Sequence, residues 1–509
     1  MNRQYVVISF LIGFLSLSQE IVWVRIISFL GNSVPSAFSY VLFCYIIGIA
    51  IGSLVGSKIA NSKIPSSIVL TGLMAISSLC ALITPIIIQW IYPHLTMPLV
   101  CTGLIFISAA SNGAIFPLVH HWFTRRGKDM GRSLSKVYFA NVMGSALGPV
   151  ITGFILLDNI PMYLLLQLLA TLELCFACVI LLIDKQWKLA PIPSFLALAT
   201  IPWLDTHQAV ISHIIKNNTL IESTIGTIVE NRHGVIHTLI DTQNQYETVY
   251  GGNVYDGGFS VDLAKNHNGI DRAFLLPALR PHPKSVLFIG LSSGSWLRVI
   301  ASIPTVENIT VAEINIGYKQ LIENHADSKD LLDDSRITIF YQDGRQLVES
   351  LIHQGKKFDL IVMNNTWHWR AYSTNLMSTE FMHKLKSIMH QESLLAFNST
   401  YSPDAVYTAG NTFTQVSTFK NFVYTSESPL VIDPLAACSL IADKINHQSC
   451  SQESHLKAIT LLEKIQFIPW QETVSEWEKN RPGSRAEIIT DSNMITEFKY
   501  GKKLALVPL

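Results

Sequence analysis

Charge is what this sequence has least of. Lys and Arg number 37, Asp and Glu also 37, together 15% of 509 residues, and the formal net charge is zero. Such a balance lacks the clustered basic surface of a nucleic-acid binder, so no nucleic-acid partner is expected. Cysteine is scarce too, seven in all. Cys44, Cys80, Cys101, Cys175 and Cys178 lie in apolar runs, and Cys175-x-x-Cys178 has no further cysteine or histidine nearby to complete a zinc site. The pair reads as packed thiols, and no metal is expected. Cys438 and Cys450 stand apart in the second half, where spacing alone does not tell a disulfide from two thiols.

The little charge present is unevenly spread. Up to Leu204 there are 11 basic and 5 acidic residues, and beyond it 26 and 32. A basic excess in one half cancels an acidic excess in the other, which points to two halves in different solvents. Six apolar runs, at about 5–29, 35–60, 65–91, 95–122, 134–157 and 161–183, are long enough to cross a bilayer core of roughly 30 Å. The first is too long for a signal peptide and is followed by five more. A seventh, Ala190 to Leu204, is short and carries three prolines.

Basic residues set the expected topology. Arg3 precedes the first run, Lys58 and Lys63 follow the second, Arg125, Arg126, Lys128 and Arg132 the fourth, and Lys185 and Lys188 the sixth. The amino terminus and the even-numbered exits therefore face the cytoplasm. Six spans leave the second half in the cytoplasm and seven place it outside; the interrupted seventh run is a poor span, so six are expected.

Gly48, Gly52 and Gly56 recur every four residues in the second run, as do Gly144 and Gly148 in the fifth. Small residues at that spacing let helices approach closely, and tight packing accounts for them. Ionisable groups inside a span are costly, about 2.5–3.5 kcal/mol each near a helix centre. Glu20, Arg25 and Glu173 are such groups. Glu20 and Arg25 are five apart, about 140° round a helix, and do not face each other. Asn112, Asn141 and Glu173 are the polar partners expected for Glu20. The three ionisable residues form a candidate polar site, structural or on a substrate path.

In the second half the periodicity changes. VIHTLID and YETVYGG are short β-rich segments. From Val286 strands and helices then alternate: VLFIG, SWLRVIAS, NITVAEI, YKQLIENHA, RITIFYQD, GRQLVESLIH, FDLIVMN. That alternation implies a doubly wound, mainly parallel sheet with helices on both faces, whose ligands sit beyond the carboxyl ends of the strands. The expected organisation is a membrane helical module at 1–204, a linker and small β-rich subdomain at 205–280, and an α/β nucleoside-binding domain at 281–509. Each strand end carries a residue suited to a nucleoside. Gly290 and Gly294 bracket a turn that lets backbone approach a ligand, and Ser292 within it has a hydroxyl for a polar tail. Glu313 suits a ribose diol, and Asp343 with Gly344 suits an adenine amino group.

The segment Pro283 to Glu313, with YQDGRQLV and FDLIVMN, resembles the spermidine synthases, aminopropyltransferases built on the Rossmann-like fold of S-adenosylmethionine-dependent methyltransferases. QEIVWVRIISFLG, IIGIAIGSLVGSKIA, the run from Ser111 to Gly153 and the closing IITDSNMITEFKYG are similar to the multi-span proteins in which bacteria fuse a membrane module to such a domain. The resemblance implies an integral, multi-pass protein of the bacterial inner membrane, oligomer possible. It would bind S-adenosylmethionine or its decarboxylated form as substrate and transfer an aminopropyl or related group to an amine or polyamine. Glu313 matches the family's ribose ligand, and Asp343 with Gly344 its adenine contact. The family's proton-accepting aspartate falls at Asn364, and an amide takes no proton. His368 is the candidate replacement, while Trp367 and Trp369 offer ring faces to a cation, worth about 0.5–2 kcal/mol, or pack the loop. A non-catalytic transporter-like or sensory protein, whose synthase-shaped domain only binds polyamine or nucleoside, is the alternative.

Overall fold

The computed structural model describes residues 2–124, 130–199, 207–219, 223–244, 246–263, 265–280, 282–433, 460, 464–499 and 502–506. Arg125, Arg126, Lys128, Cys438 and Cys450 lie outside them. The chain divides into two compact units, one of Met1–Ile221 with Glu230–Val235 and Leu504–Leu509, the other of Glu222–Val229 with Ile236–Lys503.

The first unit is helical: α1 (Asn2–Leu30), α2 (Ser36–Ile59), α3 (Ser66–Ile91), α4 (Met97–Thr124), α5 (Met130–Ile151), a π turn (Thr152–Leu156), α6 (Leu157–Asn159), α7 (Met162–Ile183), α8 (Pro191–Ala199) and α9 (His207–Asn218). Six stretches are long and apolar enough to cross a membrane, each of 22 or more residues. Twenty-two helical residues reach ~33 Å, and the six coincide with the six expected runs. Pro149, in the last turn of α5, lies three residues before the π turn. The described part of the seventh run is the nine-residue α8, ~14 Å long and under half of a bilayer core. Residues 200–204 lie outside the described ones.

The glycine spacing is read out as close contact. A Cβ on Gly52 would stand 2.0 Å from the Ala110 carbonyl oxygen on α4, and one on Gly144 would stand 2.0 Å from that of Phe10 on α1. Backbone sets the helix separation at both places. Gly52→Ala is expected to lower the thermal unfolding midpoint of the detergent-solubilised chain by the equivalent of roughly 1–3 kcal/mol. Gly103→Ala, where a Cβ meets nothing within 4 Å, should leave it unchanged; equal midpoints would place the limiting contact elsewhere.

The second unit opens with four strands, β1 (Ser223–Asn231), β2 (Gly234–Asp241), β3 (Tyr246–Gly251) and β4 (Val254–Gly258), in a sheet of order β1-β2-β3-β4. There follow α10 (Asp271–Leu279), β5 (Ser285–Ile289), α11 (Ser295–Ala301), β6 (Asn308–Ala312), α12 (Gly317–Asn324), β7 (Ile337–Phe340), α13 (Gly344–His353) and β8 (Phe358–Met363). The chain then adds α14 (Thr379–Ser387), β9 (Met389–Asn398), α15 (Pro403–Gly410), β10 (Gln415–Phe419), β11 (Phe422–Ser426) and β12 (Ile468–Pro469). The large sheet runs β12-β10-β11-β9-β8-β5-β6-β7. Strands β7, β6, β5, β8 and β9 are parallel, and β11 enters antiparallel between β9 and β10. This is the doubly wound, methyltransferase-type order.

Strand β5 shows why the sheet is central. Val286 and Phe288 belong to one buried cluster, Leu287 and Ile289 to another on the opposite face. A strand covered on both sides needs an unbroken apolar run, which VLFI supplies. Asp359, at the start of β8, accepts from the Lys284 and Ser285 amides at 2.9 and 3.0 Å, stitching the base of the two central strands. Beyond their other ends the connections part, because the chain leaves β5 for β6 on one side and enters β8 from the other. The crevice so made is where such sheets bind ligands.

Candidate active site

At the mouth of the crevice the backbone leaves no room for a side chain. Gly290 has φ +89°, and a Cβ there would stand 3.0 Å from the Asn364 carbonyl oxygen. The Asn364 amide donates to Ile289 O at 3.1 Å, so the ends of β5 and β8 are joined directly. Gly294 also sits in the left-handed region, at φ +77°, and opens α11. Between these glycines the serines face inward. Ser292 Oγ donates to Asp256 O at 2.7 Å, and Ser293 Oγ to Gly258 O at 2.8 Å. Their hydroxyls bind the end of β4, where a polar ligand tail was expected.

Glu313 follows β6 and is 5% exposed. One carboxyl oxygen accepts from Leu291 N at 2.7 Å and the other from Asn315 N at 2.8 Å. Burial pushes its pKa up to about 7; the backbone donors pull downward and the Asp256 charge adds to the rise. Each oxygen keeps a second lone pair that a hydroxyl can fill. Asp343, after β7, caps α13 by accepting from Arg345 N at 2.7 Å and Gln346 N at 3.2 Å. Gly344 packs on Ile289, with 2.9 Å from its Cβ position to Cγ2.

Beyond β8 the chain turns through Asn364, Asn365, Thr366 and Trp367, which line a cavity of about 80 Å³ with Arg272 and Trp296 among its other walls. His368 points to Thr400: Nδ1 lies 2.8 Å from Oγ1 and 3.2 Å from the carbonyl. Burial drives the imidazole down to about 4, with the Thr400 bond opposing. The two tryptophans stack at 6.1 Å, but only Trp367 reaches the cavity; the Trp369 ring faces Lys502 Nζ at 5.4 Å.

Residues 275–417 match the family described as spermine/spermidine synthase domain. The C-terminal half contains a spermine/spermidine synthase domain. Similar curated proteins include the polyamine aminopropyltransferase of Pyrobaculum aerophilum, 29% identical over 140 residues, covering 25% of this chain and 47% of that one. Polyamine aminopropyltransferase 2 of Caldanaerobacter subterraneus is 25% identical over 136 residues, 26% and 45% of the two chains. The chain spans about half the length of the curated relatives it matches. Among solved structures, the spermidine synthase of Thermotoga maritima aligns with a TM-score of 0.36 at 14% identity, over 46% of this chain and 84% of that one. Human methyltransferase-like protein 13 in complex with SAH aligns at 0.27 and 18%, over 40% and 91%.

The synthase domain also uses residues that the sequence reading passed over. Tyr318 OH donates to Asp256 Oδ2. Arg272 lies over Trp296 and Phe422, at 5.4 and 5.3 Å from the ring centres. Asp491, in the closing motif, grips Arg345 through two bonds of 2.6 Å, next to the Asp343 cap. Glu497 accepts from Thr374 N at 3.2 Å. An Asp and a Glu in a motif at the far end of the chain were the only signal, and their partners lie over a hundred residues upstream.

In the helical unit Glu173 is fully buried and its Oε2 accepts from Gln19 Nε2 and Ser78 Oγ, both at 3.1 Å. Ser108 Oγ donates to Gln19 Oε1 at 3.2 Å, and Asn112 Nδ2 to Ser77 Oγ at 2.9 Å. Glu173 and Asn112, expected around Glu20, are thus drawn together by Gln19, its neighbour. Glu20 is half-buried on the same helix, Arg25 lies five residues on, and Asn141 faces Gly13.

Glu313 gives a pH signature. Its folded value is raised from 4.5 to about 7, so the folded state favours the protonated form. That contribution to stability is full below about 4.5 and is lost as pH rises through about 7. Glu313→Gln is expected to remove this limb, so the difference in unfolding midpoint between wild type and variant changes across that window and is flat outside it. A pH-independent difference would contradict the raised value.

Proposed function

We propose that this chain is a membrane-embedded group transferase whose synthase domain binds decarboxylated S-adenosylmethionine, or S-adenosylmethionine, as substrate and passes an aminopropyl or related group to an amine of polyamine type. The observation that carries the reading is the order of groups round one crevice: the Gly290 turn after β5, Glu313 after β6 and Asp343 after β7, with a polar cavity after β8. Glu313 has lone pairs for two ribose hydroxyls, Asp343 an oxygen for the adenine amino group, and Gly290 and Gly294 take the left-handed conformations that shape the turn between β5 and α11. The relatives' names, polyamine aminopropyltransferase, support the transferred group. The matching of all six apolar runs to helices supports the membrane module, and the basic residues after the second and sixth runs support a cytoplasmic synthase domain in a bacterial inner membrane.

In the transfer, the amine nitrogen forms a bond to the carbon beside the sulfonium, the carbon–sulfur bond breaks, and a neutral thioether leaves with the electron pair. The nitrogen must also shed a proton. Asn364 takes none. His368, at about 4, is a weak base beside an ammonium of about 10, an uphill transfer of ~8 kcal/mol. The acceptor therefore reacts as the free amine, and the domain acts through orientation and exclusion of water.

Purified full-length protein is expected to bind both labelled cofactor forms saturably, with Glu313→Gln and Asp343→Asn each weakening binding about tenfold or more. Asparagine keeps the helix cap, so loss in the second variant reports on the ligand. No binding at about 1 mM, a −4.1 kcal/mol threshold, overturns the assignment. Turnover should rise with pH in step with the free-amine fraction, without a plateau from a group near 6.5, and His368→Ala should change it less than about tenfold. A plateau at neutral pH that His368→Ala removes would assign the base to His368.

A second reading, binding without turnover, is favoured by Asn364 itself and by the buried Glu173 network. It is expected to show the same cofactor affinity with no thioether product.

A further inference from the structure

The cavity after β8 has an unusual chemical balance. Asn365 is 6% exposed, and neither its Nδ2 nor its Oδ1 has a hydrogen-bond partner among the described residues. Trp296, 3% exposed, leaves its Nε1 donor unpartnered in the same way. Both line the cavity. Buried polar atoms without partners are few in folded proteins, and each costs about 1–3 kcal/mol unless something arrives to meet it. Here the unmet groups are one acceptor and two kinds of N–H donor, on two residues that line one cavity.

Charge in the same walls is balanced and already engaged. The carboxylate, Asp256, receives the Tyr318 hydroxyl. The guanidinium, Arg272, donates to Gly269 O and Asn268 O, each at 2.9 Å, and to Asn421 Oδ1. Asn421 Nδ2 in turn reaches Asn398 Oδ1 at 2.8 Å, and Asn398 Nδ2 reaches Asn365 O at 3.2 Å. A chain of amides thus fixes Arg272 beside the space. An ammonium entering it would lose its water and meet the like charge of Arg272, against a single carboxylate, Asp256, that already accepts the Tyr318 hydroxyl.

We propose that this cavity recognises a neutral carboxamide end of the amine acceptor, through Asn365 and Trp296, rather than a second protonated amine. The inference rests on the amine-acceptor reading above and sharpens it: the substrate class becomes amino-amides in place of diamines. A carboxamide offers an oxygen to the Asn365 and Trp296 N–H groups and an N–H to Asn365 Oδ1, filling all three vacancies. The volume of about 80 Å³ suits one such small polar end.

The test uses full-length protein without cofactor and two probes with the same three-carbon primary-amine skeleton, β-alaninamide and 1,3-diaminopropane, their binding measured by calorimetry. The amide is expected to bind about tenfold tighter or better. Asn365→Leu, similar in size, should erase the preference, and Asn365→Asp should reverse it towards the diamine. Should the leucine variant fail to fold, the aspartate variant still decides. Equal or tighter diamine binding by the wild type, or a preference unchanged in Asn365→Asp, overturns the proposal. Because cofactor is absent, failure of cofactor binding would remove the transferase reading and leave the amide preference standing. Cofactor binding together with diamine preference would overturn the present inference alone.

Discussion

The carboxyl of Glu313 holds the crevice in shape by accepting two backbone amides, one from the loop after β5 and one from the loop after β6. Those loops carry the groups that face a ligand, so their separation is set by a single buried side chain. Burial raises its pKa to about 7, and the amides are what keep the ionised form accessible at all. The serines extend the same fastening. Ser292 and Ser293 bond the end of β4, so the small sheet closes on the turn that Glu313 positions. A charge at Glu313 and the form of the turn are therefore one variable.

The chemistry at the end of β8 follows from neutrality. Asn364 presents an amide, and His368 is held neutral by burial against Thr400. Neither restores a negative charge. The wall instead consists of amides, an engaged Asp256 and an arginine fixed over Trp296. Such a wall supplies hydrogen bonds and desolvation, and its one carboxylate stands against one guanidinium. Under the proposed transfer, an amine in this space would lose stabilisation of its protonated form, which favours the free base.

Much of this was legible in the sequence, for definite reasons. The six long apolar helices follow from run length alone, and the strand–turn–helix order from the change of period in the second half. The positions of Glu313 and Asp343 follow from their place just past apolar strands. What escaped is long-range. The antiparallel β11 (FVYTS) reads as an ordinary short strand beside β10 (QVSTF), so nothing local reveals that it inserts between β9 and β10. Glu20 was expected at the centre of the buried polar group, yet Gln19 is there; successive residues on a helix differ by 100°, and hydropathy does not fix that rotation. The loop serines resemble ligand contacts until their acceptors on β4, over thirty residues upstream, are located.

The closing motif shows how distant residues govern the site. Asp491 fixes Arg345 and also receives Ser378 Oγ at 2.6 Å, which steadies the start of α13 beside Asp343. Glu497 and Thr496 hold Thr374 through its amide and hydroxyl. The loop beyond β8 is thus pinned at Asn364 by the Ile289 carbonyl and at Thr374 by the chain's end. Between the pins, Arg370 bonds back to Thr366 at 2.6 Å, while Tyr372 is 77% exposed with φ +69°. Adjustment to a ligand is therefore confined to the stretch between, where Asn365 and Trp367 face the cavity. Asn364 is itself the first anchor and Asn365 follows it directly, so this part of the cavity wall is positioned by residues distant in the sequence.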